Sequence, residues 1–347
     1  MATNSLQRLK RNDALAGYGF MTPALLVFLI FLFLPIFFAI FVSFTNWNGI
    51  TPFRQEGAYE FVGFENYYNL LIKRGIRQKD FYNSLKNTVY YALGVVPFQT
   101  LFALMLAVLV NQKWLRGKGV FRTAFYFPSV SSSVVISLIF MWLFGKGGIV
   151  NIGLSALIPI YEPITWLDDS RGIIHELLGL FGITRATAGD WVNVRLATLT
   201  LWEWISGPSI TLLLIMILNT WTTIGSLMII YLAALQDIPE QMHEAAMIDG
   251  ANRWQVFHKI TVPMLTPATF FVVTLGLIST LQVFDQIFVI TSGGPAKTTM
   301  TIAYGVYQSG FRNSDMGLAA ASALVLFVII FVLTLVQRRF VKESLYS

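Results

Sequence analysis

The residues from Glu240 to Arg253 form a polar segment between two long apolar stretches of the chain. Two acids of this segment, Glu240 and Glu244, are spaced so that they would lie one turn apart on one face of a helix. Ala245 and Ala246 follow, and their small side chains would let the backbone of another protein approach closely. Carboxylates beside such a low surface can bind a basic groove. The segment is therefore a candidate docking element, and a helix that only connects two spans is the alternative.

Turn-forming residues divide this polar segment into two short helices. Asp237, followed by Glu240, is typical of a capping box at the start of the first helix. Gly250 permits a left-handed backbone conformation and therefore predicts the end of that helix. The second helix is expected to begin near Asn252 and to end before Pro263.

Polar residues inside the apolar stretches form a second set of candidates. Asp285 is the one acid well inside such a stretch, and an acid there is by default a functional-site hypothesis. It lies near the end of its stretch, so a position at the membrane surface is the alternative. Four further residues offer hydrogen bonds or stacking to a polar solute: Asn219, Trp221, Gln282 and Tyr304. Polar side chains in membrane bundles also hold helices together, which is the alternative for each of them.

Several kinds of chemistry lack the residues that they require. The chain contains no Cys, so no disulfide or thiol chemistry is expected. His175, His243 and His258 share no ligand-like spacing, and no metal site is expected. A phosphate-binding loop needs Gly-x4-Gly-Lys-Ser/Thr, and neither Gly117-Lys118 nor Gly145-Lys146 supplies the remainder. The chain is therefore not expected to hydrolyse ATP alone, and no cluster of acid and base indicates an enzyme.

The composition is that of a membrane protein. Hydrophobic residues make up 55% of the 347 residues and charged residues only 12%, against about 25% in soluble domains. The mean hydropathy is +0.64. The net charge of +6 is modest, and the basic residues stand beside apolar stretches, where membrane topology explains them better than nucleic-acid binding.

Six apolar stretches are long enough to cross a bilayer, which predicts an all-α polytopic membrane protein with one transmembrane domain over residues 1–347. Their predicted bounds are 18–44, 88–110, 124–144, 209–235, 266–290 and 318–336. The segments between and around them include a tail over 1–17, a large connection over 145–208 and the polar connection over 236–265. The first stretch is much longer than the ~7–15 apolar residues of a signal peptide.

Basic residues predict the orientation of these spans. The connection 111–122 holds four basic residues and no acid, and both tails are also basic. With six spans, these three segments and the polar connection lie on one side, which is predicted to be cytoplasmic together with both termini. The long connection between the first two spans, on the opposite side, also carries basic residues: Lys73, Arg74, Arg77 and Lys79. Long loops cross the membrane largely regardless of charge, so the orientation stands.

The large connection over 145–208 is predicted to be external and contains two short apolar patterns. Ile173–Leu180 predicts a short helix. Leu196–Ile205 is apolar except for Glu203, and we interpret it as a re-entrant or interfacial helix. A seventh span at this position is the alternative, but it would move the polar connection to the outside.

The stretch from Glu244 to Pro263 resembles the EAA loop of permease subunits in binding-protein-dependent ABC importers. The family pattern is matched in register by Glu244-Ala245-Ala246, Asp249-Gly250-Ala251, Ile260, Val262 and Pro263. Similarity to the carbohydrate branch of this family extends nearly end to end, and it includes Leu85-Lys86-Asn87-Thr88 and Thr291-Ser292-Gly293-Gly294-Pro295. The region 170–207 is longer than this branch usually has before its fourth span.

The resemblance implies a permease subunit with the type I ABC importer fold in the bacterial inner membrane. It implies import of a sugar, glycoside or polyol, and a disaccharide, an oligosaccharide, a glucoside osmolyte and glycerol phosphate all fit. The implied partners are a second permease subunit, expected to be a different chain, two cytoplasmic ATPases that bind ATP and Mg, an external solute-binding protein and membrane lipid. No cofactor is expected in this chain itself, and no nucleic-acid partner.

In this family the EAA loop docks into a cleft on the ATPase. The resemblance therefore implies coupling through residues of one surface: Glu240, Glu244, Ala245, Ala246, Asp249, Gly250 and Arg253. The alternative function is a secondary transporter driven by an ion gradient. Such transporters usually show internal repeats, broken helices and paired intramembrane charges. This sequence shows no repeat and a single intramembrane acid, which counts against that alternative.

Overall fold

Helices make up most of the chain in the computed structural model, which describes residues 2–158 and 162–346. Residues 159–161, inside the predicted external connection, and the two terminal residues lie outside the described residues. Six helical segments of the described part are long and apolar enough to cross a membrane, which confirms the all-α polytopic class. They run over Leu15–Val42, Ile76–Asn111, Ser133–Leu157, Ile210–Gln236, Thr266–Ile290 and Met316–Arg339.

The helices and strands are numbered in chain order. The first part contains α1 (Ala2–Phe28), α2 (Leu34–Ser43), α3 (Glu65–Leu71), α4 (Ile76–Asn111), α5 (Lys118–Val130), α6 (Ser133–Phe144) and α7 (Ile149–Leu157). The middle contains α8 (Ile173–Leu180), β1 (Arg195–Leu196), β2 (Leu199–Thr200), α9 (Leu201–Ile205), α10 (Ile210–Gln236), α11 (Glu240–Ile248), α12 (Arg253–Val256) and α13 (Val262–Met264). The last part contains α14 (Thr266–Leu281), α15 (Asp285–Ile290), α16 (Ile302–Tyr307) and α17 (Met316–Tyr346). Single π-helical turns cover Leu29–Phe33, Phe257–Thr261 and Gln308–Arg312.

The third span differs from the single helix predicted over 124–144. Helix α5 ends at Val130, and α6 begins at Ser133 after two residues with extended ψ angles of 153° and 127°. Two local features interrupt the helix. Pro128 lacks a backbone N–H, and the hydroxyl of Ser131 donates to the carbonyl of Phe127 at 2.9 Å. The apolar segment long enough to span continues beyond α6 into α7.

The second and fifth spans also differ from their predicted bounds. Helix α4 begins at Ile76 rather than near residue 88, because the polar residues at its start continue the helix beyond the apolar part. Helix α14 ends at Leu281, and α15 begins only at Asp285. The fifth span is therefore a broken helix. Breaks of this kind are tolerated at membrane depth where neighbouring protein or a cavity satisfies the freed backbone groups.

Helix α10 lies at the centre of the bundle and packs against α4, α5 and α14. Ala103 and Ala107 of α4 are fully buried in the same apolar cluster as Met228 and Tyr231 of α10. Small residues allow membrane helices to approach closely, and this approach gains van der Waals contact where no hydrophobic driving force acts between helices. The tightly packed α4–α10 pair forms the centre of the bundle, against which α5 and α14 pack.

Helices α10 and α5 approach each other closely at Gly225. A Cβ atom added at Gly225 would lie 2.0 Å from the carbonyl oxygen of Phe125. The backbone contact is continued by Ser129, whose hydroxyl donates to the carbonyl of Thr222 at 2.7 Å and accepts from the N–H of Ser226 at 3.1 Å. Only glycine fits at residue 225 with this geometry, because a backbone atom cannot move aside as a flexible side chain can.

Helices α1 and α2 lie away from the α4–α10 pair. Only 6% of the apolar window in Leu15–Val42 is buried, and Phe20 and Phe31 are 88% and 75% exposed. Helix α2 packs on α17. Such an apolar surface is stable only against lipid or another membrane subunit.

The predicted external connection contains one helix as predicted and one prediction that is wrong. Helix α8 covers Ile173–Leu180 and confirms the short helix. Leu196–Ile205 is not one re-entrant or interfacial helix, because it contains the β1–β2 hairpin and the single turn α9. The side chains of Thr200 and Glu203 form a capping box that starts α9 only at Leu201. The described residues contain no seventh helix long enough to span.

Candidate functional site

The polar connection between α10 and α14 forms two short helices at a sharp turn. Helix α11 ends at Ile248, and Gly250 has a φ of +81°, a left-handed conformation that favours glycine. The turn is closed by a hydrogen bond from the N–H of Ala251 to the carbonyl of Ala246 at 2.9 Å. Asn252 and Gln255 then form a capping box that starts α12. The helix–turn–helix shape predicted for this connection is therefore present.

Two details of this connection differ from the prediction. Asp237 does not cap α11, because it is the C-terminal cap of α10, and Pro239 occupies the N-cap position of α11 without a side-chain hydrogen bond. The second helix does not end before Pro263. It passes through a π-helical turn over Phe257–Thr261 into α13, and this wider turn lies directly before the proline, which cannot donate a backbone hydrogen bond.

The exposed face of the connection combines an acid with apolar side chains. Glu244, Ala245, Asp249 and Gly250 are all exposed, whereas Ala246 is half-buried. Among the apolar side chains, Met247, Ile248 and Trp254 are 57%, 85% and 70% exposed. The carboxylate of Glu244 has no hydrogen bond or ion pair within the described residues. An exposed apolar patch around a free charge is typical of a protein-docking surface.

Glu240, unlike Glu244, has an ion-pair partner within the described residues. Its carboxylate forms an ion pair with the ammonium group of Lys113, in the connection that follows α4. The hydrogen bond from Lys113 lowers the pKa of Glu240, and the same hydrogen bond raises the pKa of Lys113. Glu240 therefore anchors α11 to the neighbouring connection, while Glu244 offers the unpaired charge.

A crevice of about 630 Å³ lies between this connection and the end of α4. Glu240, Glu244 and Arg253 line it together with apolar residues of α11 and α12. Asn111 and Gln112 form the wall contributed by α4. The structure therefore brings three of the predicted docking residues to one crevice, with Asp249 and Gly250 at the turn beside it.

A second candidate site lies inside the bundle, where the two broken spans meet. The hydroxyl of Ser133, at the start of α6, donates to the carboxylate of Asp285, at the start of α15, at 2.7 Å. Ser133 is the first residue of α6, and Asp285 is the first residue of α15. The dipole of a helix favours negative charge at this end. Asp285 is exposed, and its hydrogen bond with Ser133 connects the break before α15 to the break before α6.

A cavity of about 190 Å³ adjoins this hydrogen bond. Its lining is rich in neutral polar groups from α5, α6, α10 and α15: Ser129, Ser131, Ser133, Ser137, Asn219, Thr222, Thr223, Ser226 and Gln286. The amide oxygen of Asn219 and the hydroxyl of Ser137 are buried without a hydrogen-bond partner in the described part of the chain. A buried polar atom left unpaired costs about 1–3 kcal/mol, so these atoms favour water or a polar ligand in the cavity.

The other predicted pathway residues do not line this cavity. Trp221 is 54% exposed on α10, two residues beyond Asn219 and therefore on another face of the helix. Gln282 is exposed at the break between α14 and α15. Tyr304 is only 4% exposed and packs in an apolar cluster beside the ring of Phe284. Of the five predicted residues, the structure thus brings Asn219 to the cavity wall and Asp285 to its edge.

Most of the cavity residues are hydroxyl side chains that the sequence analysis did not select. A signal was present, because Ser129, Ser131, Ser132 and Ser133 follow Pro128 inside an otherwise apolar span. A cluster of serines after a proline indicates a break in a membrane helix. The sequence around Thr222 and Thr223 carried no such signal. In the structure, the hydroxyl of each also donates to the carbonyl of Asn219, one turn earlier in α10.

The fold and the two sites define a class: a multi-pass membrane protein with a polar cavity between its spans and an exposed helix–turn–helix connection between two of them. Residues 89–344 match the family of binding-protein-dependent transport system inner membrane components. The chain belongs to this family, as its resemblance to ABC importer permeases implied. It is a permease component of the inner membrane and is not itself an enzyme.

Similar proteins cover nearly the whole chain. The probable ABC transporter permease protein YurN of Bacillus subtilis is 31% identical over 328 residues, which are 94% of this chain and 96% of YurN. The lactose transport system permease protein LacF of Rhizobium radiobacter is 33% identical over 340 residues, which are 97% of each chain.

A similar fold is found in the crystal structure of a bacterial ABC transporter involved in the import of the acidic polysaccharide alginate. Its matching chain has a TM-score of 0.71 and 21% identity, with coverage of 98% of this chain and 99% of that one. At this level of identity the likeness concerns the fold alone.

Proposed function

We propose that this chain forms part of the path by which an ABC importer moves a sugar, glycoside or polyol across the bacterial inner membrane. The observation that carries the solute class is the cavity between the broken spans, whose lining contains nine neutral polar residues and no charged one. Hydroxyl-rich solutes match such a lining, because each hydroxyl both donates and accepts a hydrogen bond. The relative LacF is named for lactose transport, which supports the same class.

The α11–α13 connection is the proposed docking site for a partner ATPase. Glu244 offers the unpaired charge, Ala245 and Ala246 the low surface, and Asp249, Gly250 and Arg253 the turn and its flank. Glu240 supports this surface through its ion pair with Lys113. The remaining partners of the proposal are a second permease subunit, two ATPases that hold ATP and Mg, and an external solute-binding protein. Both termini and this connection would then be cytoplasmic.

The connectivity explains how docking would act on the cavity. Helices α11–α13 join α10, which carries Asn219, directly to α14, which leads into the break before Asp285. A displacement of the connection therefore moves two walls of the cavity together. Coupling between distant sites requires such an element, whose position is biased from both ends.

Loss of transport is expected when the cavity wall is truncated. We expect Asn219→Ala and Asp285→Asn to lower the apparent affinity for the transported sugar by roughly tenfold or more, since the first removes a polar group from the cavity wall and the second removes the charge that accepts from Ser133 at its edge. The measurement is ATP-driven uptake of a panel of labelled sugars by proteoliposomes that hold the complete complex. Thr334→Ala is the matched control, because Thr334 bonds only to its own helix, at the carbonyl of Ile330.

The same assay separates the proposal from a gradient-driven carrier. Uptake that stops without ATP, while an imposed ion gradient is intact, supports the importer. Uptake that follows the gradient without ATP contradicts it and would make Asp285 the candidate ion-coupling group. Unchanged uptake in both cavity variants would place the solute path elsewhere in the bundle.

A charge exchange tests the anchor of α11. We expect Glu240→Lys to lower ATP-driven uptake roughly two- to fivefold, as expected for an exposed ion pair replaced by two like charges. The double variant Glu240→Lys with Lys113→Glu restores the attraction and should recover most of the rate. A double variant as slow as the single one would show that Glu240 contacts the ATPase rather than Lys113.

A further inference from the structure

Two groups of basic residues on the external side converge on one pocket. Arg74 and Lys79 come from the start of α4, and Arg185 and Arg195 come from the long external connection. The pocket measures about 410 Å³, and Thr198 and Glu203 complete its polar lining. This size falls within the range of small-molecule sites in proteins.

None of these four cations is neutralised by an ion pair within the described residues. Arg185 is held in place instead by a neutral partner, since two of its guanidinium nitrogens donate to the side-chain oxygen of Asn193, both at 3.1 Å. Such a hydrogen bond fixes the position of the charge without cancelling it. The pocket therefore presents positive charge to whatever enters it.

Glu203, the one acid that lines the pocket, caps helix α9. The carboxylate of Glu203 accepts from the backbone N–H of Thr200 at 2.7 Å and from its hydroxyl at 2.9 Å, which caps α9. Burial acts to raise the pKa of Glu203, but these hydrogen bonds and the positive charges of Lys79 and Lys86 lower it overall. Glu203 is thus ionised, and four cations less one acid leave the pocket a net charge of +3.

Three other basic residues on this side of the protein are paired. Arg77 bonds Asp315 at 2.8 Å, Lys297 bonds Asp80 at 2.7 Å and Arg171 bonds Asp169 at 2.6 Å. Other cations of this side, such as Arg54 and Lys73, also have no ion pair within the described residues, but they do not line the pocket. Long loops cross the membrane largely regardless of charge, so topology does not explain why four unpaired cations meet in one pocket.

A free hydroxyl completes the arrangement. The hydroxyl oxygen of Thr198 is buried and has no hydrogen-bond partner within the described residues, and Thr198 lines the pocket. Guanidinium groups with a nearby hydroxyl donor are suited to an oxyanion, which accepts several charge-assisted hydrogen bonds at once. An uncharged sugar would leave the net positive charge unmatched.

We propose that this external pocket binds the oxyanion of a small acidic solute, namely a carboxylate such as that of a uronic acid, or a sulfate or phosphate group. The site is separate from the cavity between the broken spans. It rests on the proposed function only in that the ligand is a solute at the outer face of an importer.

The test is direct binding to the complete transporter complex in lipid nanodiscs, without the solute-binding protein. Titration calorimetry would use galacturonate, galactose as its uncharged counterpart, and inorganic sulfate. Galacturonate and sulfate should bind and galactose should not, and added salt should weaken the binding. Galacturonate without sulfate would show that the pocket reads the sugar as well as the charge, and sulfate without galacturonate would restrict it to tetrahedral oxyanions.

A matched pair of double variants identifies the site. Arg185→Gln with Arg195→Gln should weaken anion binding at least about tenfold, because two charge-assisted contacts are lost. Arg54→Gln with Lys73→Gln removes the same charge from the same side of the protein, outside the pocket, and should leave the affinity unchanged. If both double variants lose the same anion affinity, the binding depends only on the general charge of the surface, and the proposal is overturned.

Two further outcomes would also overturn it. One is the absence of binding by both anions. The other is weaker capture of the external solute-binding protein by the pocket variant, with no anion binding, which would assign the cations to an acidic side chain of that protein. ATP-driven uptake of an uncharged sugar, measured on the same preparations, tests the proposed function separately, and the pocket variant should retain it.

Discussion

Replacing Gly225 with alanine is expected to prevent α5 and α10 from packing as they do and to destabilise the folded protein strongly. The added Cβ would lie 2.0 Å from the carbonyl oxygen of Phe125 and 2.8 Å from the Cα of Tyr126. Both are backbone atoms, so the clash is relieved only if a helix moves. Overpacking of this kind typically costs about 1–3 kcal/mol, and a displaced helix costs more.

The consequence should extend to the cavity. The same helix contact positions Ser129, whose hydroxyl bonds both the carbonyl of Thr222 and the N–H of Ser226. We therefore expect a lower unfolding temperature of the purified complex, a lower yield of assembled complex and loss of uptake together. The measurement is thermal unfolding in detergent, with uptake in proteoliposomes.

Gly153→Ala is the control for this substitution. A Cβ at Gly153, in α7, would meet no atom within 4 Å. Alanine is favoured over glycine inside a helix by up to about 1 kcal/mol, so this variant should be as stable as the original protein or slightly more so. Equal stability of the two alanine variants would contradict the close approach at Gly225.

Reversing the charge of Glu244 is expected to abolish ATP-driven uptake while the protein still folds. Glu244 is exposed and forms no ion pair or hydrogen bond within the described residues, and the exposed charges of Glu244 and Lys113 attract each other only weakly, so Glu244→Arg should change stability little. A charge placed against a basic partner groove is repelled instead of attracted, and such juxtaposition costs several kcal/mol. We expect uptake to fall by at least about a hundredfold.

Two further variants show whether the loss of uptake depends on the charge at Glu244. Glu65→Arg reverses an equally exposed acid on α3, far along the chain from the α11–α13 connection, and uptake should be unaffected. Gly250→Val leaves the charge unchanged but strains the backbone at a φ of +81°, so a partial loss is expected. ATPase activity measured alongside separates failure of docking from failure of the cavity. Normal uptake in Glu244→Arg would show that the connection only joins two spans.

Part of the fold was predictable because it depends on local pattern. The apolar stretches are long enough to reveal the number of spans without any knowledge of their packing. The turn at Gly250 and the short helix α8 were also predictable, since a glycine at a helix end and an amphipathic period act over a few residues. Bounds near charged residues, as at the start of α4, were not predictable, because a helix can continue past the apolar part.

The cavity was predictable only in part. Asn219 and Asp285 are polar residues in apolar segments, and each is conspicuous in the sequence alone. Tyr304 is equally conspicuous, but it is buried in an apolar cluster, and nothing local distinguishes the two situations. The same holds for Glu240, whose partner Lys113 is distant in the sequence.

The sequence by itself determined the membrane class, the family and the helix–turn–helix shape of the polar connection, because these depend on composition, local period and a short contiguous pattern. The tertiary structure decided which polar groups meet. It joined the two helix breaks through Ser133 and Asp285, and it brought cations at the start of α4 together with cations of the long 145–208 connection in one pocket. Such meetings depend on how helices pack across the bundle, and packing is set by contacts between residues that are far apart in the chain.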